Sequence, residues 1–142
     1  MRKTSQLIGY LVALGFLCSC STTQVSEAVA ALVPSDRVYQ TSFLSSGKDP
    51  ARLTFVRDKG FSGSACKIVL YVNGQRAFSM GPAEKATIEV DPGEHLLRLE
   101  SGLGSMCPNE YETKEIVVKA GDQRRYRFPV SSNFNIGFTR EI

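Results

Sequence analysis

From Ala51 onward, short apolar and β-branched runs alternate with turn residues at intervals of roughly ten positions, a spacing typical of an all-β sandwich. The expected fold class is therefore all-β, a small antiparallel β-sandwich of about seven to eight strands. The predicted strands are Arg52–Arg57, Cys66–Val72, Gln75–Met80, Thr87–Val90, His95–Glu100, Glu112–Lys119, Arg124–Val130 and Phe134–Arg140.

Alternation along the strand near residue 126 assigns its two faces. Tyr126 and Phe128 share one side, and Arg125 and Arg127 share the other, because successive strand residues point to opposite faces. We expect both arginines to be exposed, where charge protects a sheet from edge pairing. Contact with anionic lipid headgroups is a second option for this basic cluster.

Three turn sequences separate the predicted strands. Asn73-Gly74 suits the positive φ values of a type I′ hairpin turn. Asp91-Pro92-Gly93 and Ala120-Gly121-Asp122 contain aspartate, proline or glycine, residue types that favour tight turns. All three are predicted to be hairpin turns.

The N-terminus has a different pattern. Arg2 and Lys3 precede an apolar run from Leu7 to Leu17, which is about half the length that a membrane-spanning helix needs. The run therefore predicts an export signal. Leu17-Cys18-Ser19-Cys20 resembles the box that ends bacterial lipoprotein signals, in which the last cysteine receives diacylglycerol.

Cys20 is the predicted lipidation site, because an acceptor at Cys18 would place bulky residues immediately before the cleavage point. Acyl chains on Cys20 would hold the protein to a membrane without a spanning helix. Ser21 in the next position resembles the sorting signal for the outer membrane, with the domain expected to face the periplasm. The alternative is an ordinary secretory signal that leaves Cys20 as a free thiol.

Composition divides the chain into three parts: a signal peptide at 1–19, a lipidated N-terminus and tether at 20–50, and a β-sandwich domain at 51–142. The segment from Ser21 to Pro50 is rich in serine, which is typical of a flexible tether. Within it, Gln24 to Val33 has helical composition but is too short for a stable isolated helix. We expect a nascent or docked turn there.

Cys66 and Cys107 remain as an even pair in an oxidising compartment, and the simplest prediction is a disulfide. Closing a loop of about 40 residues would contribute at most about 4 kcal/mol of stability. No CxxC spacing or second histidine is present to complete a zinc site, so no metal is predicted.

Charge excludes nucleic acid as a partner. The chain has 17 Lys and Arg against 14 Asp and Glu, and loss of the basic signal leaves the mature protein close to neutral. An envelope location points the same way, since it separates the protein from nucleic acid. The expected partners are the membrane, through the lipid on Cys20, and an envelope protein.

The run YVNGQRAFSMGPAEKATIEVDPGEHLLRLES, followed by EIVVKAGDQRRYRF, is similar to PEGA-like sandwich modules and to small bacterial lipoproteins of unknown function. The shared features are the hairpin glycine at Asn73-Gly74, the turn Pro92-Gly93-Glu94-His95, and Gly121-Asp122 before the aromatic Tyr126. The resemblance implies an Ig-like or PEGA-like sandwich, and it carries little information about function.

No catalytic constellation is predicted, and we expect neither an enzyme nor a cofactor. His95 follows a turn, and no Gly-x-Ser-x-Gly elbow accompanies it. Gly102-Leu-Gly-Ser-Met106 lacks the Lys and the helix of a phosphate loop. Glu110 and Glu112 are expected to be solvated.

Two function classes fit these observations. The first is a non-enzymatic, lipid-anchored envelope protein that binds a protein or cell-envelope component, and the second is an immunity or exclusion lipoprotein that inhibits a toxin or enzyme. Phe61, Leu103 and Met106 lie in loops beside the two cysteines and are the candidate protein-binding residues. Alternatively, Phe61 and Leu103 fold inward and cover the end of the core.

Overall fold

A computed structural model describes residues 22–39, 45, 47–60, 64–102, 107, 109–129 and 136–141. These residues form two β-sheets and one short 3₁₀ turn at Ser35–Arg37. The strands are β1 Ala31–Leu32, β2 Ala51–Arg57, β3 Ile68–Val72, β4 Gln75–Met80, β5 Glu84–Val90, β6 Gly93–Ser101, β7 Tyr111–Val118, β8 Gln123–Phe128 and β9 Thr139–Glu141.

The two sheets form the sandwich. One has five strands in the order β1-β5-β2-β8-β9, and the other has four in the order β4-β3-β6-β7. Most neighbours are antiparallel, but β1 pairs with β5, and β2 with β8, in parallel. The predicted all-β sandwich is confirmed, and each of the eight predicted strands overlaps an observed one, with β1 as an addition.

The core lies between the sheets, and Phe55 of β2 is at its centre. Its ring centroid is 5.5 Å from Phe78 of the opposite sheet, 5.5 Å from Tyr126 and 5.4 Å from Phe128. All four side chains are almost completely buried. The inward alternation predicted for Tyr126 and Phe128 is therefore confirmed, and these contacts join the two sheets.

Only one of the three predicted hairpin turns joins neighbouring strands of one sheet. Asn73 and Gly74 have φ values of 51° and 80° and connect β3 to β4, as a type I′ turn requires. Asp91-Pro92-Gly93 and Ala120-Gly121-Asp122 instead carry the chain from one sheet to the other. Turn chemistry predicts a reversal, but it does not determine which strand receives the returning chain.

The segment predicted to be a flexible tether packs on the sandwich over residues 22–39. Thr23 exchanges backbone hydrogen bonds with Lys59, at 2.5 and 3.0 Å between nitrogen and oxygen. Val25 is buried in a small cluster, and Val33 is buried in the main core. Apolar positions of this segment therefore contribute to the core.

The same segment adds an edge strand and an ion pair. β1 pairs with the start of β5, and beyond it Arg37 contacts Glu84 at 2.5 and 2.9 Å. The predicted docked turn is present at residues 27–29, where Ala30 N donates to Ser26 O at 3.1 Å. These contacts hold the N-terminal segment along the edge of the five-stranded sheet.

A buried ion cluster fastens the N-terminal segment at Val25 and the C-terminal strand β9 to β8. Arg127 Nη1 donates to Asp58 Oδ1 at 2.7 Å, and Arg127 Nε donates to Glu141 Oε1 at 2.7 Å. Asp58 Oδ1 also accepts from Val25 N at 3.1 Å. The predicted exposure of Arg127 is wrong, because this side chain is only 9 % exposed. Asp58 and Glu141 pair with it, and the backbone of Val25 lies beside it.

Arg57 links the two sheets at the same end. It is buried, and its Nη1 donates to Cys66 O at 2.7 Å and to Met80 O at 2.8 Å. Burial lowers the pKa of the Arg57 guanidinium to about 10, so the side chain is still charged at neutral pH. The C-terminal end of β2 therefore lies against the start of β3 and the end of β4.

Candidate functional site

The outer face of the four-stranded sheet carries a stack of tyrosine and arginine side chains. Arg76 lies over the rings of Tyr39 and Tyr71, with its guanidinium carbon 5.1 and 5.7 Å from the ring centroids. Arg98 lies over Tyr71 and Tyr111 at 5.8 and 5.1 Å. Three aromatic rings and two cations thus follow one another across the sheet, each within cation–π distance.

Strand register brings these side chains together. Tyr71 of β3 is the Cα partner of Arg76 in β4 and of Arg98 in β6, while Tyr111 of β7 opposes Glu100, two positions along from Arg98. A register shift between Leu70 and Tyr71 accompanies the β3–β4 pairing. Directly opposed and diagonal positions on one face are close enough for such side chains to interact.

Hydrogen bonding and charge organise the stack further. Arg76 Nη2 donates to the Tyr71 hydroxyl at 3.2 Å, and this hydrogen bond raises the pKa of the guanidinium above its ordinary value. Arg98 lies 3.7 Å from Glu100. Both arginines are therefore held in place by neighbours on the same face.

Exposed apolar side chains extend this surface. Tyr111 is 65 % exposed, Val117 of the same strand is 60 % exposed, and Leu96 of β6 is 44 % exposed. Leu96 and Val117 also line a shallow groove of about 380 Å³ near the β3–β4 turn. We call Tyr71, Arg76, Leu96, Arg98, Tyr111 and Val117 together the Tyr–Arg face.

The outer face of the five-stranded sheet is chemically different. Its groove of about 590 Å³ is lined by polar and charged side chains that bond to one another. Arg52 contacts Glu89 at 3.1 Å, and Arg125 contacts Glu27 at 2.6 Å. Because these charges already have protein partners, a ligand there would have to replace existing ion pairs. The Tyr–Arg face is the stronger candidate.

The predicted basic cluster is divided by the fold. Arg125 is exposed, as predicted, but it is paired with acidic side chains, and Arg124 contacts Asp122 at 2.7 Å. Arg127 is buried in the ion cluster. A lipid-binding role for this cluster as a unit is not supported by that arrangement.

The groups considered for catalysis make structural contacts. His95 Nε2 is 2.7 Å from Asp91 O, and its Nδ1 is 3.0 Å from Asn73 Nδ2, so the ring ties two turns together. Glu112 Oε1 accepts from Phe138 N at 3.4 Å. Within the described part of the chain, no group of three or more His, Cys, Asp or Glu side chains could hold a metal ion.

The predicted disulfide between Cys66 and Cys107 is confirmed, with a Cα–Cα distance of 5.6 Å. Cys20, Phe61, Leu103 and Met106 lie outside the described residues, so the lipidation site and the loop-binding patch stay predictions. No described helix is long and apolar enough to cross a membrane.

Sequence reasoning missed the Tyr–Arg face. Its residues come from separate strands, and the pattern along each strand shows only that the side chain points away from the core. A partial signal is present, since Tyr71 and Arg98 each sit between buried neighbours. The order of strands in the sheet, which places them side by side, has no local signal.

Comparison with known proteins identifies neither a family nor a function for this chain. No family model matches the chain, and no curated protein matches it. The resemblance to PEGA-like modules is untested by these comparisons.

Proposed function

We propose that the protein is a non-enzymatic, lipid-anchored envelope protein that binds another protein through the Tyr–Arg face. The lipid would be carried by Cys20, and the domain would reside at the outer membrane on the periplasmic side. The composition of the Tyr–Arg face is the observation that supports binding. Tyrosine and arginine are enriched among the residues that dominate binding energy at protein interfaces.

Preorganisation of the stack supports the same proposal. Arginine loses considerable rotamer freedom when a partner immobilises it, and that loss weakens binding. Arg76 and Arg98 are already restrained by stacking on tyrosine rings. Less freedom is then lost on association, and the tyrosine and arginine side chains share the outer sheet face with the exposed Leu96 and Val117.

The chemistry favours a protein over a small ligand. Small ligands bind in concave pockets that bury most of their surface. The Tyr–Arg face is instead a sheet surface with a shallow groove at one side. A complementary protein surface would offer carboxylates to the two arginines and apolar side chains to Leu96, Tyr111 and Val117.

Site-specific photocrosslinking in cells tests the proposal. A photoreactive residue replaces Thr113, which is exposed and is the Cα partner of Arg98. The matched control position is Thr87, which is exposed on the other sheet. We expect an envelope protein to be captured from position 113 and not from position 87.

Substitutions then connect capture to the stack. Tyr111→Ser and Arg98→Ala should each weaken capture at least tenfold, because truncation of an interface anchor typically costs about 1–3 kcal/mol or more. Arg52→Ala removes an exposed arginine from the outer face of the other sheet and should leave capture unchanged. Equal capture from both faces, or insensitivity to Tyr111→Ser, would contradict the proposal. If the captured protein is a toxin or enzyme that loses activity on binding, the inhibitor class is assigned.

A further inference from the structure

The first described residues set a short distance between the sandwich and the predicted lipid. Thr23 pairs through its backbone with Lys59, directly after β2. Cys20 precedes Thr23 by three residues in the sequence. Since an extended chain spans at most about 3.6 Å per residue, three residues of chain can reach at most roughly 11 Å.

This distance identifies one end of the sandwich. Arg57, two residues before Lys59, bonds to the carbonyls of Cys66 and Met80, so the start of β3 and the end of β4 lie at the same end. The disulfide to Cys107 is also there. We call the end that contains Lys59, Cys66 and Met80 the anchor end.

Two large apolar side chains are exposed beside the anchor end. Val29 is 75 % exposed, and Leu32 is 72 % exposed. Leu32 pairs with Lys85, which is also the partner of Val56 near the end of β2. Neither side chain is used by the core, whereas their neighbours Ala30 and Val33 are buried. The segment thus divides its apolar residues between the core and the outside.

We infer that the anchor end lies on the bilayer surface, with Val29 and Leu32 in contact with the lipid interface. The inference rests on the proposed lipid at Cys20. A tether of three residues would keep these side chains close to the bilayer. Burial of exposed aliphatic side chains in the interface strengthens membrane binding. The bilayer is the occupant because it is the one surface to which the short tether would bring this end.

The opposite end of the sandwich points away from the membrane in this arrangement. Glu94 of β6 is exposed there, and Ser101 of the same strand pairs with Ile68 at the anchor end. At about 3.4 Å per residue, the seven residue steps from Glu94 to Ser101 span about 24 Å. The two ends are therefore far enough apart to be distinguished by quenching from the bilayer.

The test uses the full lipidated protein in vesicles of phosphatidylcholine and phosphatidylglycerol that contain a lipid with a nitroxide quencher. A fluorophore is attached to Val29→Cys or, as the control, to Glu94→Cys. We expect at least threefold stronger quenching at position 29 than at position 94. Equal quenching at the two positions in vesicle-bound protein overturns the inference and leaves the proposed function standing.

A second variant tests the two side chains themselves. With the fluorophore on Lys59→Cys, Val29→Ser combined with Leu32→Ser should reduce quenching at least twofold. Unchanged quenching would remove Val29 and Leu32 from the membrane contact. Mass spectrometry of the purified protein is the separate check on the lipid: a free Cys20 thiol would overturn both the proposed anchoring and this inference.

Discussion

The buried carboxylate of Asp58 offers the sharpest test of how the N-terminal segment is held. It is 6 % exposed and accepts hydrogen bonds from Arg127 Nη1 at 2.7 Å and from Val25 N at 3.1 Å. Asp58→Ala removes the acceptor of both hydrogen bonds, Oδ1. We expect this substitution to destabilise the protein by about 3 kcal/mol.

The magnitude follows from what the substitution leaves behind. A buried N–H without an acceptor costs about 1–3 kcal/mol, which applies to Val25. Breaking a buried ion pair by removal of one partner costs about 3–5 kcal/mol when the remaining charge has no compensation. Arg127 retains Glu141, so this second contribution falls below that range, to about 2 kcal/mol, and with about 1 kcal/mol for Val25 the total is about 3 kcal/mol. Asp58→Asn keeps one oxygen acceptor and should cost less, about 1–2 kcal/mol.

Urea unfolding of the mature domain with its disulfide intact measures these differences, provided that the dependence on urea concentration is the same in each variant. Glu115→Ala is the control, because this exposed carboxylate should change stability by no more than about 0.5 kcal/mol. A double-mutant cycle with Arg127→Met should give a coupling of about 1.5 kcal/mol or more.

The expected accompanying effect is local. Loss of the Val25 hydrogen bond should make residues 22–39 more sensitive to limited proteolysis before the sheets unfold. Coupling below about 0.5 kcal/mol, together with unchanged proteolysis, would refute the view that the ion cluster fastens this segment to the sandwich.

Three further predictions concern the cysteines and one exposed carboxylate. Cys20→Ala should abolish metabolic labelling with a fatty acid and Cys18→Ala should not; the opposite result would show that the lipidation box is misassigned. Purified protein should contain no alkylatable thiol at Cys66 or Cys107 under native conditions, and reduction should lower the free energy of unfolding by up to about 4 kcal/mol, measured by urea unfolding with and without reductant. Hydrogen bonds from a backbone N–H and a neighbouring arginine hold the pKa of Asp122 below its ordinary value of 3.8, so its contribution to stability is present above pH 3.8 and is lost as the pH falls through the lower folded-state pKa. Asp122→Asn should therefore flatten the acid limb of stability measured from pH 5 to pH 2, and an unchanged acid limb would argue against this contribution.

The sequence by itself determined the strands and much of the core. Alternation placed Tyr126 and Phe128 inside, and Asn73-Gly74 specified a hairpin, because both properties depend on neighbouring residues and on backbone dihedrals. The pairing of Cys66 with Cys107 followed from their being the two cysteines outside the predicted signal and lipidation box. Alternation and turn formation depend on local interactions, and for the two cysteines a single pairing was possible.

Tertiary structure decided the properties that depend on distant partners. Alternation along β8 predicts that Arg127 faces outward, but Asp58 and Glu141 pair with it and cover it. The N-terminal segment has the composition of a tether, but the bare edge of β5 and the apolar surface near Val56 give it a place to dock.

The Tyr–Arg face shows the same division. Outward orientation of Tyr71 and Arg98 follows from alternation, but their contact depends on β3 lying beside β6, although two strands separate them in sequence. Two of the predicted hairpin turns likewise became connections between sheets. A turn sequence sets the local reversal of the chain, whereas the choice of neighbouring strand is made by burial of whole faces, which involves residues far apart along the sequence.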